Sequence, residues 1–206
     1  MKIKVCGMRE VNNIRELTSL QPDYIGFIFY PKSKRFVQET DPGFLQEIPT
    51  KIKKTGVFVN AALDEILDKI KRYRLQAVQL HGDESPAFCQ KLKEQNVEVI
   101  KAFGIDEAFD FEVLNQYELF TDYFLFDTKT SAYGGSGKVF NWEVLNNYKL
   151  GKAYFLSGGL SLQNLAEVKG LNDERIYAVD LNSAFETEPA VKDINKLEQA
   201  FKLIKG

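Results

Sequence analysis

Cys6, Asp127, His81 and Arg35 offer the most chemistry in this sequence, and each follows a short apolar run. Cys6 closes Ile3-Lys4-Val5, and Lys4 lies two residues earlier, on the same face of a strand. An ammonium beside a thiol favours the thiolate, the form that accepts a proton. The plain alternative is a small buried hydrophobe. Asp127 follows Tyr123-Phe124-Leu125-Phe126 and reads either as a turn cap or as a partly desolvated acid able to donate a proton. His81 follows Gln79-Leu80, as a structural or a functional imidazole. Arg35 ends Lys32-Ser33-Lys34-Arg35, where the charges are either solvated or draw in an anionic substrate. Ser157-Gly158-Gly159 precedes a helical pattern, so its backbone N–H groups suit a phosphate; otherwise it is an ordinary strand-to-helix turn. A thiol base, a carboxylic acid and a phosphate cradle point to proton shuffling on a sugar phosphate, as in aldose–ketose isomerisation.

These residues need a scaffold that brings strand ends together. Apolar runs rich in β-branched and aromatic residues occupy 3–6, 24–29, 55–59, 77–80, 97–102, 123–126, 153–156 and 176–179. Helical spacing appears between them, in Ile14/Leu17/Leu20, in Leu63/Ile66/Leu67/Ile70, more weakly in Leu162/Leu165/Val168, and in Ile194/Leu197/Phe201/Ile204. Asp41-Pro42 and Ser85-Pro86 place proline where the first turn of a helix tolerates it. Alternating strand and helix predicts a parallel sheet with helical crossovers. Eight such units in 206 residues predict an α/β fold, a (β/α)8 TIM barrel of one domain over 1–206; an open doubly wound sheet is the competitor. In such a barrel the active site lies at the C-terminal strand ends, where the residues above fall.

The scarce residues exclude other chemistries. The chain has two cysteines, Cys6 and Cys89, and one histidine, so zinc sites of four cysteines, of paired cysteines and histidines, or of three histidines cannot form within it. Lys138 is followed by Val139 rather than Ser or Thr, so there is no P-loop, and no GxGxxG predicts a dinucleotide. The expectation is an enzyme without metal or cofactor. A net charge of −2 gives no electrostatic reason to expect nucleic acid or an anionic membrane. No apolar run is long enough for a transmembrane helix, and the apolar N-terminus is too short for a signal peptide. With two cysteines and no secretion signal, reduced thiols and a cytoplasmic protein are expected. The expected partner is a small phosphosugar, and the expected state a monomer.

Six segments occur in order: Lys4-Val5-Cys6-Gly7, Gly26-Phe27-Ile28-Phe29-Tyr30-Pro31-Lys32-Ser33-Lys34-Arg35, Gly56-Val57-Phe58-Val59-Asn60, Gln79-Leu80-His81-Gly82, Gly134-Gly135-Ser136-Gly137 and Ser157-Gly158-Gly159-Leu160. Together they resemble the phosphoribosylanthranilate isomerases of tryptophan biosynthesis. The resemblance implies a cofactor-free (β/α)8 barrel. It implies conversion of N-(5-phosphoribosyl)anthranilate to 1-(o-carboxyphenylamino)-1-deoxyribulose 5-phosphate, an Amadori rearrangement. It casts Cys6 as general base and Asp127 as general acid. Arg35 would pair with the anthranilate carboxylate and His81 would line that side of the pocket. Gly158, Gly159, Asn182 and Ser183, with Asp180 just before them, would bind substrate and hold its phosphate. Gly134 and Gly135 would belong to a loop covering the substrate.

One segment departs from the family's pattern. Leu181-Asn182-Ser183-Ala184-Phe185-Glu186 stands where Val-Ser-Ser-Gly-Val-Glu is usual, so Ala184 replaces a glycine, which matters if that position needs positive φ. This departure is the support for an alternative, a non-catalytic phosphosugar-binding barrel. Among enzymes, the competitors are indole-glycerol-phosphate synthase, with its catalytic lysine and longer chain, and metal-dependent pentose-phosphate epimerases, disfavoured by the single histidine.

Overall fold

The computed structural model describes residues 1–38, 43, 45, 47–129 and 140–206. Eight parallel strands close into a barrel in chain order: β1 (Lys2–Val5), β2 (Tyr24–Ile28), β3 (Lys53–Phe58), β4 (Ala77–Leu80), β5 (Glu98–Ile105), β6 (Tyr123–Thr128), β7 (Tyr154–Leu156) and β8 (Ile176–Leu181). Each matches one of the eight apolar runs. β8 closes on β1 with Lys4 opposite Asp180. The open-sheet alternative is thereby overturned.

The period of two along each strand decides which side chains face the lumen. In β1, Ile3 and Val5 join the core between barrel and helices. Val78 and Leu80 do so in β4, Phe124 and Phe126 in β6, Tyr154 and Leu156 in β7, and Val179 and Leu181 in β8. The alternate positions Ala77, Leu125, Phe155 and Ala178 pack with Tyr24, Ile100 and Ala102 in a separate cluster inside the barrel. Continuing that parity puts Cys6, His81, Asp127, Ser157, Asp180 and Asn182 on the lumen side at the C-terminal strand ends. Below them the lumen is filled, not hollow. Tyr123 stacks on Tyr177 with ring centroids 4.4 Å apart at the N-terminal end.

The helical spacings form Val11–Ser19, Leu63–Tyr73, Leu165–Gly170 and Ile194–Lys205. Pro86–Lys93 starts as Ser85-Pro86 predicts: Ser85 Oγ accepts the Phe88 N–H and proline occupies the first turn. Asp41-Pro42 lies outside the described residues. After β5 the connection forms 3₁₀ turns, Phe111–Gln116 and Glu118–Phe120, started by the Asp110 side chain accepting the Glu112 N–H. Beyond β8 there is a feature that the strand–helix alternation does not announce. A 3₁₀ turn, Ser183–Phe185, leads into a two-stranded antiparallel hairpin, β9 (Glu186–Glu188) with β10 (Val191–Lys192).

Candidate active site

A cavity of about 410 Å³ opens at the C-terminal strand ends. Its wall contains Cys6 from β1, Arg35 from the loop after β2, Gln79 and His81 from β4, Asp127 from β6, Ser157 from β7, and Asp180 and Asn182 from β8. Lys32 and Lys34 sit at its edge. Six predicted site residues, Cys6, Arg35, His81, Asp127, Asp180 and Asn182, are thus brought together. Gly158, Gly159 and Ser183 are next in sequence to the wall residues Ser157 and Asn182 but do not line the cavity themselves. Gly134 and Gly135 lie outside the described residues.

Cys6 is 3% exposed. Its neighbour Gly26 leaves the space that the sulfur occupies: a Cβ there would lie 2.7 Å from Cys6 Sγ. Burial pushes the Cys6 thiol up; Lys4 pulls it back, while Asp180 pushes it further. The sequence expectation for Lys4 therefore holds in direction and fails in outcome, because desolvation of the buried thiolate exceeds the help from the Lys4 and Lys192 ammonium groups. That ammonium is also committed elsewhere: Lys4 Nζ donates to Asp180 Oδ2 at 2.7 Å, both side chains being buried. Burial depresses the Lys4 ammonium, but Asp180 and Cys6 more than reverse this. Asp180 is itself pushed up by burial, and its Oδ1 is enclosed with no hydrogen-bond partner among the described residues.

Asp127 accepts a hydrogen bond on one oxygen and faces His81 with the other. The Thr128 N–H donates to Oδ1 at 2.8 Å, and His81 Nε2 lies 3.5 Å from Oδ2. Gln79 Nε2 lies 2.8 Å from His81 Nδ1, so the other ring nitrogen, Nε2, is the one that faces Asp127. Gln79 was not foreseen; its place two residues before His81 is the signal that marks it.

Gly158 and Gly159 follow β7 with φ of +87° and +64°. Their amides donate no hydrogen bond among the described residues, so both remain available to an anion. Gly158 is also tightly enclosed. A Cβ would lie 2.3 Å from Thr128 Oγ1, 2.5 Å from Thr128 N and 2.9 Å from Asp127 Oδ1. Gly158→Ala is expected to cost about 1–3 kcal/mol through backbone strain and this clash, and to lower turnover by displacing Asp127; urea unfolding and steady-state kinetics check both.

Two expectations change. Arg35 is not a free guanidinium: Nε and Nη2 donate to the two carboxylate oxygens of Glu186 at 2.8 and 2.6 Å. Ala184 lies within the Ser183–Phe185 turn and is absent from the residues with positive φ, so losing a glycine strains nothing there. Among the described residues no three His, Cys, Asp or Glu side chains converge as a metal-binding group. No helix among them is long and apolar enough to cross a membrane.

The sequence matches the family described as N-(5'phosphoribosyl)anthranilate (PRA) isomerase over residues 3–203. N-(5'-phosphoribosyl)anthranilate isomerase of Parabacteroides distasonis is 46% identical over 200 residues, covering 96% of this chain and 90% of that one. The crystal structure of phosphoribosyl anthranilate isomerase from Thermotoga maritima superimposes with a TM-score of 0.85 at 35% identity, covering 100% and 99% of the two chains. A phosphoribosyl anthranilate isomerase solved with reduced 1-(o-carboxyphenylamino)-1-deoxyribulose 5-phosphate gives the same TM-score at 32% identity, with 100% and 99% covered. With this barrel, this cavity and these relatives, the chain belongs to the phosphoribosylanthranilate isomerase family.

Proposed function

We propose that Cys6 and Asp127 are the acid–base pair of this isomerase. The reaction converts N-(5-phosphoribosyl)anthranilate to 1-(o-carboxyphenylamino)-1-deoxyribulose 5-phosphate. Asp127 protonates the ring oxygen while the nitrogen lone pair expels it from C1, opening the furanose to a Schiff base. The Cys6 thiolate takes the proton from C2, and those electrons neutralise the iminium to give an enolamine. Loss of the C2 hydroxyl proton and protonation at C1 then yield the ketone. His81 packs its Nε2 beside the Asp127 carboxyl and orients it. Arg35 meets the substrate carboxylate with its remaining N–H donors, and its planar fork suits that group. The amides of Gly158 and Gly159, with Asn182 and Ser183, hold the phosphate. Asp180 keeps Lys4 charged beside Cys6.

The observation that carries this reading is the convergence of Cys6 and Asp127 on one cavity from strands β1 and β6. The test is loss of substrate fluorescence, the substrate being formed in place from anthranilate and phosphoribosyl pyrophosphate by an added transferase. Chelator is added once the substrate exists. Rapid decay in chelator is expected; no acceleration by well-folded protein overturns the reading. The reading takes residues 1–206 as one catalytic domain, acting as a cytoplasmic monomer; closure of the barrel by β8 on β1 supports the first of these.

The thiol's environment sets a pH dependence. A thiol whose pKa is raised on folding yields thiolate at higher pH than a free cysteine. Alkylation of Cys6 by iodoacetamide in the ligand-free enzyme is therefore expected to rise at more alkaline pH than for a free thiol. Lys4→Met should move the curve higher still, since Lys4 pulls the thiol down. Peptide mass analysis separates Cys6 from Cys89, which burial pushes up to about 11. A Cys6 curve at or below that of a free thiol would contradict this account.

A further inference from the structure

Behind Arg35 lies a network that the reaction scheme does not use. Glu186, at the start of β9, takes the Arg35 fork on both oxygens. Lys192 on β10 donates from Nζ to the same Glu186 Oε1 at 2.6 Å and to Asn182 Oδ1 at 2.8 Å. The Ala190 N–H adds a third donor to Oε1 at 3.1 Å. Lys192 is pinned through its backbone: Asn13 Nδ2 donates to its carbonyl at 2.9 Å, and its N–H donates to Asn13 Oδ1 at 2.6 Å. The side chains of Lys192, Glu186 and Arg35 are 0%, 6% and 14% exposed.

The charges in this cluster do not cancel. Two cations, Arg35 and Lys192, share one carboxylate. Burial pushes the Lys192 ammonium down to about 8, with Glu186 holding it up. It thus remains mostly charged at neutral pH. Without Lys192, Glu186 would neutralise Arg35 and leave little pull for a second carboxylate. Without Glu186, the guanidinium would swing on its stem and two buried cations would face each other. Of the five guanidinium donors, Glu186 takes two, so three remain for a ligand.

We infer that Glu186 and Lys192 are a positioning pair that aims Arg35 and keeps its surroundings cationic, making the cavity selective for ligands with a carboxylate on the aromatic amine. This rests on the reading that Arg35 meets the substrate carboxylate. Glu186 does not touch the reacting carbons, so its replacement acts on binding, whereas Lys192 also favours the Cys6 thiolate through its charge and its replacement reaches the chemical step as well.

The experiment uses Lys192→Met and Glu186→Gln in the full chain. It measures KM and kcat on phosphoribosylanthranilate, and Kd for two stable ligands: the borohydride-reduced product and its counterpart lacking the carboxylate. Both variants are expected to raise KM about tenfold; kcat should stay within about twofold in Glu186→Gln, while Lys192→Met should also lower it near neutral pH by removing a cation that favours the Cys6 thiolate. Glu186→Gln should weaken the carboxylate ligand about tenfold and leave its counterpart within about twofold. Lys192→Met, which also frees Asn182 beside the phosphate, should weaken the carboxylate ligand more than its counterpart. Equal weakening of both ligands, a fall in kcat alone, or no change would overturn the inference. Glu186→Gln preserves volume but sets an amide NH2 donor against one of the two Arg35 donors, so the two-point clamp that aims Arg35 is lost, and it decides the matter even if Lys192→Met does not fold. Wild-type turnover is the control: without it the isomerase reading falls and this inference with it; with it, only the role of the pair is at stake.

Discussion

Cys6→Ser and Asp127→Asn are each expected to lower kcat by about 10³-fold, within the 10²–10⁴ range typical of losing a positioned proton-transfer group. Both changes preserve volume, so the fold should persist. Serine fits the space beside Gly26, but its hydroxyl is far too weak an acid to supply an anion near neutral pH. Asparagine at 127 keeps an oxygen for the Thr128 N–H, but its amide N–H is too weak an acid to transfer a proton to the ring oxygen. Steady-state kinetics alongside urea unfolding separates the chemical loss from a folding loss. The two variants should stall at different points, since ring opening precedes removal of the C2 proton.

The second large effect falls on stability. Lys4→Met is expected to destabilise the chain by about 3–5 kcal/mol, because it leaves a buried carboxylate without its counter-charge. Asp180 is 5% exposed and already carries one oxygen with no hydrogen-bond partner among the described residues. By contrast, Lys93→Met removes a pair to Asp122 whose members are 41% and 32% exposed. That loss should stay below about 1 kcal/mol, since water screens the pair. Urea midpoints at pH 7 compare the two. Similar small losses for both would contradict the burial argument.

The barrel was legible because its signal is local. Alternation along each strand carries Ile3 and Val5 outward and Lys4 and Cys6 inward, and the same parity places Asp127 after Leu125 and Asn182 after Asp180. What resisted reading depends on closure. Lys4 appears in sequence as the neighbour of Cys6, yet its hydrogen-bond partner is 176 residues away, on a strand adjacent only once the barrel closes. Glu186 and Arg35 are 151 residues apart, and nothing in the spacing of either announces the other. Arg35 therefore looked like an unpartnered loop charge. Ala184 looked like a defect because the family's usual glycine suggested positive φ, whereas the local 3₁₀ turn makes no such demand. The connections after β5 and β6 lack the helical spacing read after β1, β3, β7 and β8, and they fold as 3₁₀ segments, the second of them Trp142–Asn147.

The division of labour between Cys6 and Asp127 is tested most directly by trapping the open intermediate. Phosphoribosylanthranilate is mixed with each variant in molar excess, quenched with borohydride and analysed by mass. The borohydride is the deuterated reagent, because the reduced Schiff base and the reduced ketone product have the same mass. Deuterium at C1 marks the Schiff base, deuterium at C2 marks the product, and fragment masses separate the two. With Cys6→Ser, whose acid is intact but whose base is lost, the reduced open-chain amine is expected to accumulate. With Asp127→Asn it should not exceed the level in protein-free solution. Equal trapping in both variants, or trapping with Asp127→Asn alone, would contradict the assignment of Asp127 to ring opening and Cys6 to the carbon proton.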